Sequence, residues 1–193
     1  LRMRPLRPHP GDGVLEDAQG HRLTISFNTP AKSPEGILIA SMIRKDLQRV
    51  GVEVQFVPLS FNHLVTKLTA TFDWEMILIG LTGGIEPHFG KNVWASDGAL
   101  HMWYPYQRTP ATEWEARIDE IFNRAAQTID EAQRKQLYDE WQAIVNDQQP
   151  VIYTALPYSL YAVRDRFGNL FSTVYGGAFW NIESIYINRR STE

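Results

Sequence analysis

Between residues 23 and 80 the chain alternates period-two apolar runs with stripes of helical spacing, and that order leaves few folds open. Leu23-Thr24-Ile25-Ser26-Phe27 alternates as a half-buried strand does. Ser33-Pro34-Glu35 then reads as a helix start, with a hydroxyl N-cap, Pro in the first turn and an acid beside it. Ile39, Ile43, Leu47 and Val50 follow as one apolar stripe, and Gly51 stops the helix. Val52-Glu53-Val54-Gln55-Phe56-Val57 alternates again and is expected to end at Pro58. Ser60 caps a second helix that turns Leu64, Val65 and Leu68 inward. Trp74-Glu75-Met76-Ile77-Leu78-Ile79-Gly80 is a nearly continuous apolar run, as expected of a strand covered on both faces. Strand, helix, strand, helix, strand predicts an α/β fold whose sheet is mainly parallel, flanked by helices and joined by right-handed crossovers.

The flanks are organised differently. Residues 1–12, rich in Pro and with Arg2, Arg4 and Arg7, read as a linker or solvated tail, leaving residues 13–193 as one lobe. A short hairpin is expected over residues 13–23, turning at Asp17 to Gly20. Residues 82–110 are irregular and dense in Gly, Trp, His and Pro, and loops of that length in compact domains are functional or mobile. Thr112-Glu113-Trp114-Glu115 is a capping-box pattern opening a helix with Trp114, Ile118, Ile121, Phe122, Ala125 and Ile129 on one face. Asp130, with Gln133 three residues on, caps the next helix, whose inner face is Leu137, Tyr138, Trp141, Ile144 and Val145. Residues 150–156 and 185–187 are expected strands.

Charge and residue usage exclude several chemistries. A net charge of -3, with Lys and Arg scattered, lacks the one-sided basic excess of a nucleic-acid binder. Without cysteine there is no disulfide framework, thiol catalysis or cysteine-ligated zinc. No apolar run approaches the roughly 20 residues that span a bilayer. The chain opens Leu1-Arg2-Met3-Arg4, so an export signal is expected upstream of it. Histidines 9, 21, 63, 88 and 101 show no helical ligand spacing; a site from His88 and His101 needs the fold to join them, and local hydrogen bonding is the expectation. Gly84-Ile85-Glu86-Pro87-His88-Phe89-Gly90-Lys91-Asn92 is no phosphate loop, because its glycine spacing is one residue too long and Asn92 stands where Ser or Thr would hold magnesium. Glu113, Glu115, Asp119 and Glu120 are expected on a solvated helix face. No catalytic residue, cofactor or metal is assigned.

What remains is a loop after a buried parallel strand. Ligands of α/β sheets bind at the carboxyl ends of strands. Thr82, Gly83, Gly84 and Glu86 lie just past such an end, and glycines there let a ligand approach the backbone. Trp94 and Trp103, with Tyr104, offer flat apolar walls, or else anchor the loop to the core.

The order of these parts resembles the carboxy-terminal lobe of the family 5 extracellular solute-binding proteins, which take up oligopeptides, dipeptides and nickel chelates. The likeness is carried by Gly13-Val14-Leu15 with Asp17 and Gly20, and by Ile39 to Phe56 with Asp46-Leu47-Gln48-Arg49-Val50-Gly51-Val52-Glu53-Val54. Phe61-Asn62-His63-Leu64, Phe72-Asp73-Trp74-Glu75-Met76, Ala132-Gln133-Arg134-Lys135-Gln136-Leu137-Tyr138 and Gln149-Pro150-Val151-Ile152 continue it in order. The resemblance implies a periplasmic-binding-protein-like type II lobe that closes with an amino-terminal lobe around a peptide or similar solute. It further implies delivery to ABC permease subunits, a periplasmic or extracellular place, possible lipid anchoring, and no catalysis or nucleic-acid binding. Peptide binders of the family often place an Asp after the third strand, facing the ligand's amino terminus. Leu81-Thr82-Gly83-Gly84 has no acid and Glu86 is the nearest, which favours an oligosaccharide or modified peptide, since an uncompensated buried ammonium is costly. A ligand-sensing domain of a transcriptional regulator is the alternative, and an α/β enzyme with its catalytic residues upstream is the third.

Overall fold

The computed structural model describes residues 6–81, 83–156, 158, 160–173 and 176–188. The chain divides into two compact units, Leu1–Thr82 with Asn92–Glu115, and Gly83–Lys91 with Ala116–Glu193. The α/β expectation holds: a parallel sheet is flanked by helices.

In the first unit, β1 (Arg7–Pro8), inside the stretch expected as linker, pairs antiparallel with β2 (Leu15–Glu16) of the expected hairpin. The expected turn forms after β2, with Asp17 N–H donating to the His21 carbonyl. The sheet proper runs β4 (Glu53–Leu59), β3 (Thr24–Pro30), β5 (Met76–Ile77), all parallel, with Ser26 opposite Gln55 and Phe27 opposite Met76. β3 is therefore central and the other two are edges. This explains two departures from expectation. Pro58 does not end β4, because an edge strand tolerates a residue with no N–H. The run at 76–79 is only half-buried, because β5 has, among the described residues, a neighbour on one side alone. β5 is also short: ahead of it the Glu75 carboxylate accepts the Ser26 amide at 2.7 Å, standing in for a missing backbone carbonyl.

Helix α1 (Pro34–Arg49) starts as its sequence predicts, with Ser33 Oγ accepting the Gly36 amide, and ends before Gly51, whose φ of +83° suits glycine. It packs Ala40, Ile43 and Leu47 on Phe27, Val52 and Val54. Val50, expected in the stripe, is exposed. α2 (Phe61–Thr66) is capped by Ser60 and runs into one π-helical turn, Lys67–Thr71. At the carboxyl end of β3, buried Asn28 donates to the Val57 carbonyl at 2.9 Å and buried Thr29 to the Leu78 carbonyl at 3.1 Å. These two side chains stitch the rim on both sides just where the β5 ladder stops.

The second unit is built on α4 (Glu113–Ala125) from Ala116 onward and on α5 (Glu131–Gln148). Ile118, Ile121, Phe122 and Ala125 are buried, as are Leu137, Tyr138 and Val145, much as their spacing predicts. Phe122 meets Tyr138 and Trp141 edge-on at 5.6 and 5.5 Å. Ile129 does not join this face; α4 stops at Ala125 and Ile129 is exposed. Asp130 accepts the Gln133 amide as expected. A bidentate pair, Arg117 to Glu140 at 2.6 and 2.7 Å, clips the two helices. Residues 150–156 form no strand: they have no ladder partner among the described residues, and Ile152, Leu156, Tyr158 and Leu160 stand in solvent. The expected last strand exists as β7 (Tyr186–Ile187), antiparallel to β6 (Phe167–Gly168). Among the described residues, no helix is long and apolar enough to cross a membrane.

Candidate functional site

Loops must satisfy their own backbone, and the loop of the first unit does so from both ends. Within α3 (Lys91–Trp94), Asn92 accepts the Ala99 amide on its side chain and the Leu100 amide on its carbonyl. A Cβ on Gly98 would lie 2.1 Å from the Asn92 carbonyl oxygen, so only glycine fits this approach.

The loop closes on Glu115, which is 2% exposed and not on the solvated face expected of it. Its Oε1 accepts from Gln107 Nε2 at 2.9 Å, His101 Nε2 at 3.1 Å and Trp103 Nε1 at 3.2 Å. Its Oε2 accepts from the Thr112 hydroxyl at 2.8 Å, while Thr112 Oγ1 accepts the Glu115 amide as N-cap. Burial alone pushes the carboxyl up, but the Gln107, His101, Thr112 and Trp103 donors together bring it down to about 2. Buried His101 also reaches the Val93 carbonyl with Nδ1 at 2.9 Å. Around it, the Trp103 ring lies 3.9 Å from the His101 ring, 5.8 Å from Trp94 and 6.2 Å from Trp114, centroid to centroid.

The rim residues of the second unit make a smaller cluster. Gly83 has open space where a side chain would stand, whereas a Cβ on Gly84 would meet the Phe89 ring at 2.4 Å. The half-buried Glu86 carboxylate interacts with the Tyr138 hydroxyl, which also lies 3.3 Å from His88 Nδ1. Burial raises the Tyr138 phenol, and the Glu86 charge raises it further. His88 stacks obliquely on Phe122 at 5.9 Å. The loop continues through one 3-10 turn, Pro87–Gly90. A groove of about 360 Å³ on α4 and α5, lined by Arg117, Arg124, Gln133 and Glu140 among others, contains none of the residues expected at the rim.

Of those residues, Thr82 lies outside the described ones. Gly83, Gly84 and Glu86 share one loop of the second unit, and Trp94 and Trp103 are brought together in the first. Trp94 is buried and Trp103 half-buried. Sequence reasoning missed the Glu115 node, although Thr112-x-x-Glu115 had already placed that acid in the first turn of a helix abutting a loop rich in N–H donors. Among the described residues no group of three or more His, Cys, Asp or Glu is arranged to hold a metal ion.

No family model matches the chain. A probable ABC transporter-binding protein of Deinococcus radiodurans is 28% identical over 167 residues, which cover 80% of this chain and 28% of that protein. The oligopeptide-binding protein AppA of Bacillus subtilis, solved with a nonapeptide, superposes with a TM-score of 0.67 at 18% identity, covering 95% of this chain and 35% of AppA. MelB of Agrobacterium fabrum, solved with stachyose, gives 0.61 at 14% identity over 72% of this chain and 22% of MelB. The chain thus spans about a third or less of the length of these relatives. Sequence order, sheet topology and these likenesses agree that the chain has the fold of a lobe of the extracellular solute-binding proteins of ABC transporters, of the oligopeptide-binding type.

Proposed function

We propose that this chain is the carboxy-terminal lobe of a substrate-binding component of an ABC importer, spanning residues 13–193, which captures a peptide or similar solute against an amino-terminal lobe of the same protein. The observation that carries the reading is the coverage: AppA accommodates 95% of this chain within 35% of its own length. A lobe of that size supplies one wall of a cleft, and the solute draws the two walls together by binding both only when closed. The complete protein works outside the cytoplasmic membrane, held by a lipid anchor or free, and hands its solute to ABC permease subunits. It binds no nucleic acid and performs no bond chemistry. The burial of the His101–Glu115 pair, with its hydrogen bonds made inside its own unit, supports the last point, since a general base must come within reach of the proton it takes.

Thr82, Gly83, Gly84 and Glu86 are proposed as ligand-facing, with Trp103 a contact and Trp94 its backing. Glu86 is oriented by the Tyr138 hydroxyl and has no cation within ion-pair distance among the described residues, which suits it to receive a donor group of the solute. The fold itself does not choose the solute, because similar lobes occur in proteins solved with a nonapeptide and with stachyose. Solution scattering tests the proposal: the complete protein contracts on binding a peptide or sugar, and the 193-residue chain alone binds far more weakly. Equal affinity of chain and complete protein removes the two-lobe argument.

A further inference from the structure

Tyr106 has a φ of +56°, in the left-handed region where a bulky side chain crowds its own backbone. What holds it there is its neighbour. Gln107 is buried; its backbone amide donates to the Ser96 carbonyl at 3.1 Å, its Nε2 donates to Glu115, and its Oε1 accepts the Ala111 amide at 2.7 Å. Turning Gln107 inward forces the backbone ahead of it through the strained region and throws the Tyr106 ring outward. Glycine would make this turn freely. A tyrosine that is 58% exposed recovers little by burial for the strain it adds.

The surroundings share this character. Tyr104 is 55% exposed and precedes Pro105, so its own backbone is confined to extended conformations. Residues 104–106 therefore display two rings from a stiff backbone, and a backbone already restricted loses little freedom when something binds. From Gly98 to Gln107 the sequence holds no Asp, Glu, Lys or Arg. Tyrosine offers a flat apolar face with a hydroxyl at its edge, a surface that suits neutral groups carrying both C–H faces and hydrogen-bonding atoms.

We infer that Tyr104 and Tyr106 form a contact site for an uncharged solute segment with flat apolar faces and hydroxyl or amide groups, and that Gln107 is the positioning residue that aims Tyr106. The inference rests on the solute-capture reading above and names the class of group the solute presents to this loop.

Two uncharged probes share the required chemistry, stachyose and N-acetyl-tetraalanine amide, and calorimetric titration of the complete two-lobe protein with each separates a sugar ring from a peptide backbone as its source. Wild type is expected to bind at least one of them. Tyr106→Gly should weaken that binding about tenfold or more, the loss of one well-placed aromatic contact. The same variant should keep its Tm or gain about 2 °C, because glycine relieves the positive φ. Tyr106→Phe keeps the ring and should bind within about threefold of wild type. The inference is overturned if Tyr106→Gly melts several degrees lower, which would make the ring a packing element, or if it binds both probes as wild type does. It is also overturned if wild type takes nickel–histidine or Lys-Lys in preference to both neutral probes. In each of these cases solute capture survives. If wild type binds none of the four, the capture reading fails together with the inference.

Discussion

Neutralising Glu115 tests whether one buried carboxylate holds the loop of the first unit. Glu115→Gln preserves shape and one acceptor but removes the charge on which three N–H donors converge. Two independent routes give the size. The folded carboxyl sits at about 2 against an ordinary 4.5, and that displacement corresponds to roughly 3 kcal/mol of stability. Hydrogen bonds to a charged group contribute about 1.5–3 kcal/mol, and an isosteric amide that loses the charge shared by several of them places the loss near 3 kcal/mol. Because the folded value is depressed, this stability is fully present above pH 4.5 and is lost as pH falls through about 2. Urea unfolding, followed by near-UV circular dichroism of the tryptophans, should show the Glu115→Gln midpoint about 1 M lower at pH 7. The gap should narrow as pH falls through 4 and close near 2, where wild type itself carries a protonated acid. Glu113→Gln, two positions earlier and exposed, should shift stability by less than about 0.5 kcal/mol. A Glu115→Gln midpoint within about 0.2 M of wild type, or a gap that does not change with pH, refutes the node as an electrostatic anchor.

Gly98→Ala should destabilise by about 2 kcal/mol or more, because the new methyl meets a backbone oxygen that cannot swing aside; thermal melting checks this, and an unchanged Tm contradicts the close approach. Gly84→Ala meets only the ring of an exposed phenylalanine, so the loss in the same assay should stay under about 1 kcal/mol. Phe122→Ala opens the core of the second unit and should cost about 3–5 kcal/mol, read by chemical denaturation. Asp130→Ala removes the cap of α5 and should cost about 1 kcal/mol, with helical circular dichroism largely kept.

What was legible in the sequence is what neighbouring residues decide between themselves. Ser33, Ser60, Thr112 and Asp130 cap helices where their side chains predict, and the Phe27, Ile43, Leu47 and Val54 pattern finds its core, because caps and periodic stripes are local. Strand order was not local. Pro58 within β4 and the half-burial of β5 follow from β3 lying between them, which no spacing encodes. The same limit hid Glu115: its i+3 relation to Thr112 was readable, but its burial depends on His101, Trp103 and Gln107 arriving from a loop with no period. Ile129 was assigned to the α4 face by spacing, yet α4 stops earlier and Thr128 bonds back to the Arg124 carbonyl there. At the rim, the sequence indicated which loop carries the glycines; that Glu86 engages a tyrosine of α5 required the fold.

The apolar residues standing in water at Ile152, Leu156, Tyr158 and Leu160 bear on how this polypeptide behaves in a test tube. Exposed apolar side chains gathered along one segment attract another copy of the same chain. Excluded salts such as ammonium sulfate strengthen that attraction, so light scattering from the 22.2 kDa species should climb with sulfate. A lysine in place of Leu156 should suppress the rise while leaving the sheet untouched.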